Sequence, residues 1–316
     1  MLELNGVTIK YGNLHALDGL TLTLEDGSCC GLVGPNGAGK TTAIRTIMGL
    51  ILPEEGEVRI DGQDAVRNPS LIKDAVGYVP DAFGIYENLT VREYMEFFAS
   101  AYGLYGLSAR KRYMLLLEQV QLDDKLDFSV DMLSRGMQQR LCLARALIHD
   151  PRILIMDEPM NGLDPGTRFE FRQIVGELHA QGKTILISSH ILSELSQMCT
   201  DIGILENGRI LLNGRLEDIM EQIENSNPIR LSVVSGAASA LAVLRENRHV
   251  RSISENGNTF LLGFRGTRTD ESALLYELIS AEIPVREFVR EPGSLEKYFM
   301  QITSHKEEIT VLKNED

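Results

Sequence analysis

The run Gly34-Pro35-Asn36-Gly37-Ala38-Gly39-Lys40-Thr41 constrains this chain more than any other feature. It joins a compact apolar run, Cys29–Val33, to a helix-like segment, Thr41–Leu50, and so reads as a loop between a buried strand and a helix. Glycines there let backbone N–H groups wrap a phosphate chain without Cβ clashes, and the helix N-terminus adds its partial positive charge. Lys40 brings a full charge to the terminal phosphates, and Thr41 offers a hydroxyl to a divalent cation. Average residue usage gives the pattern roughly a one or two per cent chance of arising in a chain of this length, and the strand–loop–helix context argues against a plain glycine-rich turn.

A second run, Ile153-Leu154-Ile155-Met156-Asp157-Glu158, complements the first. Four buried apolar residues deliver a carboxylate to the C-terminal edge of a sheet, where open α/β sheets bind their ligands. Asp157 suits Mg²⁺ held through water, and Glu158 suits the polarisation of an attacking water. A solvated acid pair at a strand end is the alternative, and it loses beside a phosphate-binding loop.

With 316 residues the chain is long enough for about two domains at ~150 residues each. Its formal net charge of −14 argues against a partner gripped through nucleic acid phosphates. The 43% hydrophobic content is ordinary for a protein that buries a proper core. No apolar run approaches the ~18–20 residues of a membrane span, and Met1–Asn5 lacks the features of a secretory signal. Cys29, Cys30, Cys142 and Cys199 show no zinc-ligand spacing and read as core packing in a reducing cytosol.

Strand-like runs alternate with helix-length segments up to about Leu212, the pattern of an α/β domain on a mostly parallel sheet. Leu2–Lys10, Leu20–Leu24 and Glu57–Ile60 read as short β-rich pieces, and Thr184–Ile187 as a further buried strand. Val91–Tyr102 and Ala109–Val120 read as a helical insert, and Leu141–Ile148 as another helix. Asn207-Gly208 between Ile202–Glu206 and Arg209–Asn213 is a strong hairpin signal. Polar Glu221–Pro228 marks a boundary, predicting a first domain over 1–222, a small α+β domain over 228–302 and a charged tail over 303–316. Ile229–Val234, Ala238–Glu246, Val250–Ser254, Phe260–Phe264, Glu271–Ser280 and Val285–Val289 follow the strand–helix–strand–strand–helix–strand order of a ferredoxin-like domain.

Between the two site motifs lies Leu133-Ser134-Arg135-Gly136-Met137, followed by Gln138-Gln139-Arg140. With it the chain resembles the ATP-binding-cassette (ABC) ATPases, P-loop NTPases whose signature reads LSGGQ; Arg135 and Met137 depart from it. Ser134 retains a hydroxyl and Gly136 a backbone N–H for a γ-phosphate at a helix start, although an ordinary capped helix also explains Ser134. By the same resemblance Tyr11 matches an adenine-stacking aromatic, Asp164 the D-loop that reaches a neighbouring subunit, and His190 a switch histidine sensing the γ-phosphate. Asp81, in Gly77-Tyr78-Val79-Pro80-Asp81, stands where the family has the Q-loop glutamine.

The resemblance covers about residues 2–220 and implies an α/β cassette with a mostly parallel sheet, an antiparallel β subdomain and a helical insert. It implies ATP contacts at Tyr11, Gly34, Pro35, Asn36, Gly37, Ala38, Gly39, Lys40, Thr41 and Thr42, with Ser134, Gly136 and Asp164 meeting the nucleotide of a second cassette. It implies Mg²⁺ at Thr41, Asp81 and Asp157, and catalysis by Glu158 and His190. The implied function is ATP hydrolysis by a dimer on the inner face of the cell membrane, powering export through a separate permease, because this chain has no span of its own. The helical insert with Asp81 and the segment Phe83–Leu89 is the expected permease-docking surface, and Glu291–Phe299 is similar to the C-terminal ending of exporter ATPase subunits. The rival classes are a soluble ABC ATPase acting on ribosomes or DNA, and a P-loop nucleotide kinase or GTPase.

Overall fold

A computed structural model describes residues 1–82, 84 and 88–291, and the chain divides into two compact units, Met1–Leu216 and the residues from Glu217 onward. Three runs in which every residue is buried form the centre of the first unit: β3 (Cys29–Val33), β7 (Ile153–Met156) and β8 (Thr184–Ser189). Strands buried on both faces belong inside a parallel sheet covered by helices. With β6 (Val76–Val79), β9 (Asp201–Glu206) and β10 (Arg209–Arg215) they make a six-stranded sheet in the order β10-β9-β3-β8-β7-β6. All neighbours run parallel except β9 and β10, which turn through Asn207-Gly208 at φ 48° and 76°.

A second, antiparallel sheet holds β1 (Leu2–Tyr11), β2 (Leu14–Leu24), β4 (Glu55–Ile60) and β5 (Gln63–Asp64) in the order β2-β1-β4-β5. Its buried Leu2, Leu4, Leu22 and Val58 share one core with Leu32 of β3 and Leu205 of β9. The helices of this unit are α1 (Lys40–Ile47), α2 (Pro69–Ala75), α3 (Val91–Ala101), α4 (Gly106–Gln119), α5 (Arg135–Ala146), α6 (Pro165–Ala180) and α7 (Leu192–Leu195). Helices α3 and α4 form the expected insert, and α3 starts at a capping box between Thr90 and Glu93. Helix α5 begins at Arg135 rather than at Leu141, because the Ser134 side chain caps it by accepting from the Met137 N–H.

In the second unit α8 (Leu216–Ser226) carries a helix through much of the segment read as a polar linker. It is followed by β11 (Ile229–Val233), α9 (Ala237–Glu246), β12 (Val250–Asn256), β13 (Thr259–Phe264), α10 (Arg268–Ser280) and β14 (Val285–Arg290). The sheet order β12-β13-β11-β14, antiparallel throughout, is that of a split βαβ domain. Its inward strand residues Ile229, Leu231, Phe260 and Leu262 pack on Ala240 and Leu244 of α9 and Leu274 and Leu278 of α10. All four cysteines are free and buried. Among the described residues no helix is long and apolar enough to cross a membrane.

Candidate functional site

The glycine-rich loop leaves the C-terminal end of β3 and enters α1, with Pro35, Asn36 and Gly37 exposed at its tip and Ala38 buried beneath. Gly37 and Gly39 hold φ 84° and 109°, a region L side chains rarely adopt. A Cβ on Gly39 would fall 2.5 Å from the Ala16 carbonyl of β2. The Gly208 N–H of the β9–β10 turn donates to Ala38 O at 2.9 Å, so both hairpins brace the loop. Tyr11 ends β1 opposite Leu14, on the hairpin that touches the loop at Ala16, and is 54% exposed. Thr42 sits in the first turn of α1, where its carbonyl accepts from Thr46 Oγ1 at 2.8 Å.

Lys40 is buried and its Nζ donates to Gly34 O at 2.7 Å and Pro35 O at 3.2 Å. The same Nζ lies 3.2 Å from Glu158 Oε1, while the other carboxylate oxygen, Oε2, lies 2.9 Å from His190 Nδ1. Glu158 is the second residue after β7 and holds φ 47°, a conformation that costs a non-glycine residue on the order of 1–3 kcal/mol. Two bonds fix it there: its N–H donates to Ser188 Oγ at 2.9 Å, and its carbonyl accepts from the Asn161 N–H at 3.0 Å.

Asp157, 1% exposed, accepts from Ser188 Oγ at 2.7 Å and from Thr41 Oγ1 at 3.3 Å, both on Oδ1. Burial pushes its carboxyl above the ordinary value; the two hydroxyls pull the other way, and the charges of Asp81 and Glu158 add to the rise. A buried carboxylate under that pressure favours a counter-cation, and its neighbours are hard oxygen donors. This donor set fits Mg²⁺, which takes one or two carboxylates and completes its shell with water and phosphate oxygens. Among the described residues no group of three or more His, Cys, Asp and Glu side chains could hold a metal on its own. Asp81, exposed just past β6, accepts from Asn161 Nδ2 at 3.4 Å.

Ser134, Gly136 and Asp164 form a second cluster, at the heads of α5 and α6. Asp164 caps α6, accepting from Thr167 N at 3.1 Å and Thr167 Oγ1 at 2.6 Å, and these bonds hold its carboxyl below the usual range. Gly136 is buried where α5 crosses α6; a Cβ there would overlap Thr167 Cγ2. This glycine therefore has a packing reason as well as a backbone N–H to offer. Sequence reasoning missed Ser188, Asn161 and Thr167. A serine in a strand whose other residues are buried was the available signal for Ser188. Phe83, Ile85, Tyr86 and Glu87 of the expected docking segment, and residues 292–316 with the expected tail over 303–316, lie outside the described residues.

A phosphate-type loop, a buried strand-end carboxylate, an adjacent glutamate bridging lysine and histidine, and a capped serine turn define a nucleotide-hydrolysing P-loop cassette. Residues 17–161 match the family described as "ABC transporter". The chain is 32% identical over 305 residues to the Nod factor export ATP-binding protein I of Ralstonia nicotianae, covering 96% of this chain and 94% of that one. It is 29% identical over 305 residues to the linearmycin resistance ATP-binding protein of Bacillus subtilis, covering 96% and 98%. Among solved structures, the ATP-binding subunit of an ABC transporter aligns with TM-score 0.63 and 33% identity, over 70% of this chain and 92% of that one. A dimeric bacterial ABC transporter cassette aligns with TM-score 0.62 and 28% identity, over 68% and 99%. The chain belongs to the ATP-binding family of ABC transporters, whose members bind ATP and are ATPases.

Proposed function

We propose that this chain hydrolyses MgATP as one of two cassettes paired head to tail, and that the pair drives export through a separate membrane permease. The observation that carries the hydrolytic reading is Glu158, held in a strained conformation with one oxygen on Lys40 and the other on His190. In this reading the P-loop N–H groups and Lys40 bind the phosphates, Thr42 extends that cradle, and Tyr11 stacks on the base. Thr41 and Asp157, with Asp81 nearby, hold Mg²⁺, which supplies charge neutralisation to the phosphate oxygens. Glu158 polarises the attacking water, and His190 keeps the carboxylate aimed.

Ser134 and Gly136 head a helix that makes no part of the Lys40–Glu158–His190 cluster, which suits them to the nucleotide of a second cassette. Asp164 stands beside them on the same edge. Export is supported by the names of the Ralstonia and Bacillus relatives, the ATP-binding components of an export and a resistance system. An ATP-binding component of that kind would act with a permease on another chain, at the cytoplasmic face of the membrane. Phe97, Tyr102 and Tyr105 are exposed on the α3–α4 insert and suit it to docking there.

Co-purification tests the assignment. The tagged chain, solubilised from its own membranes in mild detergent, is expected to carry a multi-span protein whose presence stimulates Mg-dependent ATPase activity. Recovery with ribosomes or DNA instead, and no membrane chain, would overturn it.

A further inference from the structure

Arg135 stands where the family signature has glycine, and its surroundings give it a task within its own chain. Three atoms of its guanidinium group lie close to where a Cβ on Gly162 would be: Nη1 at 2.8 Å, Cζ at 2.9 Å and Nε at 3.3 Å. With bonds to Cζ about 1.3 Å long, an in-plane approach along one N–C bond would spread these distances by about 1 Å or more, and one between the two nitrogens would leave Cζ the farthest of the three; here Cζ is nearer than Nε. The near-equality means the flat face of the guanidinium covers Gly162. Gly162 holds φ 70° and offers no side chain in the way. It belongs to the loop Asn161–Asp164 that joins the Glu158 turn to the capped start of α6.

The next signature residue leans on the same loop from its other end. Gly136 packs against Thr167, whose hydroxyl is bound by Asp164 at 2.6 Å. Arg135 and Gly136 thus grip both ends of one short loop. Asn161, at the head of that loop, donates through its backbone to Glu158 and through its side chain to Asp81. No described carboxylate pairs with Arg135. The planarity of the group, more than its charge, is what the contact uses.

We propose that Arg135 is a positioning residue that clamps the Asn161–Asp164 loop to the start of α5, so that Ser134 and Asp164 are presented to a partner cassette as one rigid edge. The proposal rests on the reading that a second cassette meets this edge. It accounts for an arginine at a signature position without giving it a phosphate to bind.

Hydrogen exchange on the nucleotide-free full chain reads the clamp directly, and steady-state ATPase kinetics read its consequence. Arg135→Ala is expected to speed exchange at the Leu163 and Asp164 amides at least threefold, leaving the amides of β3 and β7 unchanged. It is expected to lower kcat three- to fivefold with KM for ATP unchanged. Arg135→Lys, which keeps the charge and loses the plane, is expected to behave like alanine in both measurements. Unchanged loop exchange in Arg135→Ala would overturn the clamp, as would a lysine variant indistinguishable from wild type. A kcat loss of a hundredfold would make Arg135 a phosphate contact, again against the proposal. Faster loop exchange with an unaltered kcat would overturn the presentation of a rigid edge, and ATPase failure in the wild-type chain would instead count against the hydrolytic reading.

Discussion

His190 and Glu158 are 32 residues apart in the chain and meet at 2.9 Å, Nδ1 to Oε2, across the ends of β8 and β7. The two strands are parallel neighbours in register from Ile153 and Thr184, so the residues that follow each strand emerge side by side. The contact holds the carboxylate on one side while Lys40 holds it on the other at 3.2 Å.

His190→Ala leaves the carboxylate without that support. Turnover is expected to fall by about a hundredfold, the low end of what a positioned acid–base pair contributes, while MgATP affinity changes by less than about threefold. Rapid-quench turnover and equilibrium nucleotide binding on the same preparation check it. Loss of binding in step with turnover would place His190 in phosphate recognition instead.

Asp157 links the site to stability. Its carboxyl is raised above 3.8, mainly by burial, so the unfolded chain gives up this proton at lower pH than the folded one. Stability from this group therefore falls as pH climbs from the ordinary carboxylate value through the raised folded value, and the penalty is complete above it. Asp157→Asn keeps an acceptor for the Ser188 hydroxyl and removes the charge. The variant is expected to melt a few degrees higher than wild type at pH 8, about 2–4 °C for each kcal/mol relieved. That gain shrinks toward pH 4, and Mg-dependent ATP binding is lost. A lower Tm at pH 8 would show that the buried charge is compensated by contacts the fold retains.

Gly136 separates packing from phosphate contact. Gly136→Ala drives a methyl into Thr167 Cγ2 and is expected to cost about 1–3 kcal/mol of stability by overpacking. Thr167→Ser removes that methyl and keeps the hydroxyl on Asp164. The double variant is expected to recover more than half the loss in urea melts. No recovery would mean that the helix crossing does not need the glycine.

How far the sequence reveals this architecture depends on burial. Cys29–Val33 and Ile153–Met156 are legible to the residue because every side chain is buried and a polar residue or glycine ends each run. Helix α6 was legible too, since Phe171, Ile174, Val175 and Leu178 recur at helical spacing behind the Asp164-Pro165 start, yet it was missed. Helix α2 buries only Ile72 and offers no periodic stripe to read. Motifs located Lys40, Asp157, Glu158 and His190. The left-handed backbone of Glu158 and the Gly136–Thr167 crossing arise from tertiary contacts, which no local pattern encodes.

The first unit carries every candidate site residue, and the second has its own core. A chain stopped after Ser226, which keeps α8 whole, is expected to fold and to bind ATP within about threefold of the full chain. Calorimetry and nucleotide binding check this. Aggregation, or loss of ATP binding, would show that the later residues complete the fold of the first.

Glu158→Gln tests the central claim most directly, because it keeps the shape of the side chain and removes the charge that polarises water. Steady-state ATPase activity of the purified variant at saturating MgATP is predicted to fall at least a hundredfold, with MgATP affinity within about threefold of wild type. A turnover rate near that of the wild type, in a variant that folds and binds ATP, would contradict the account.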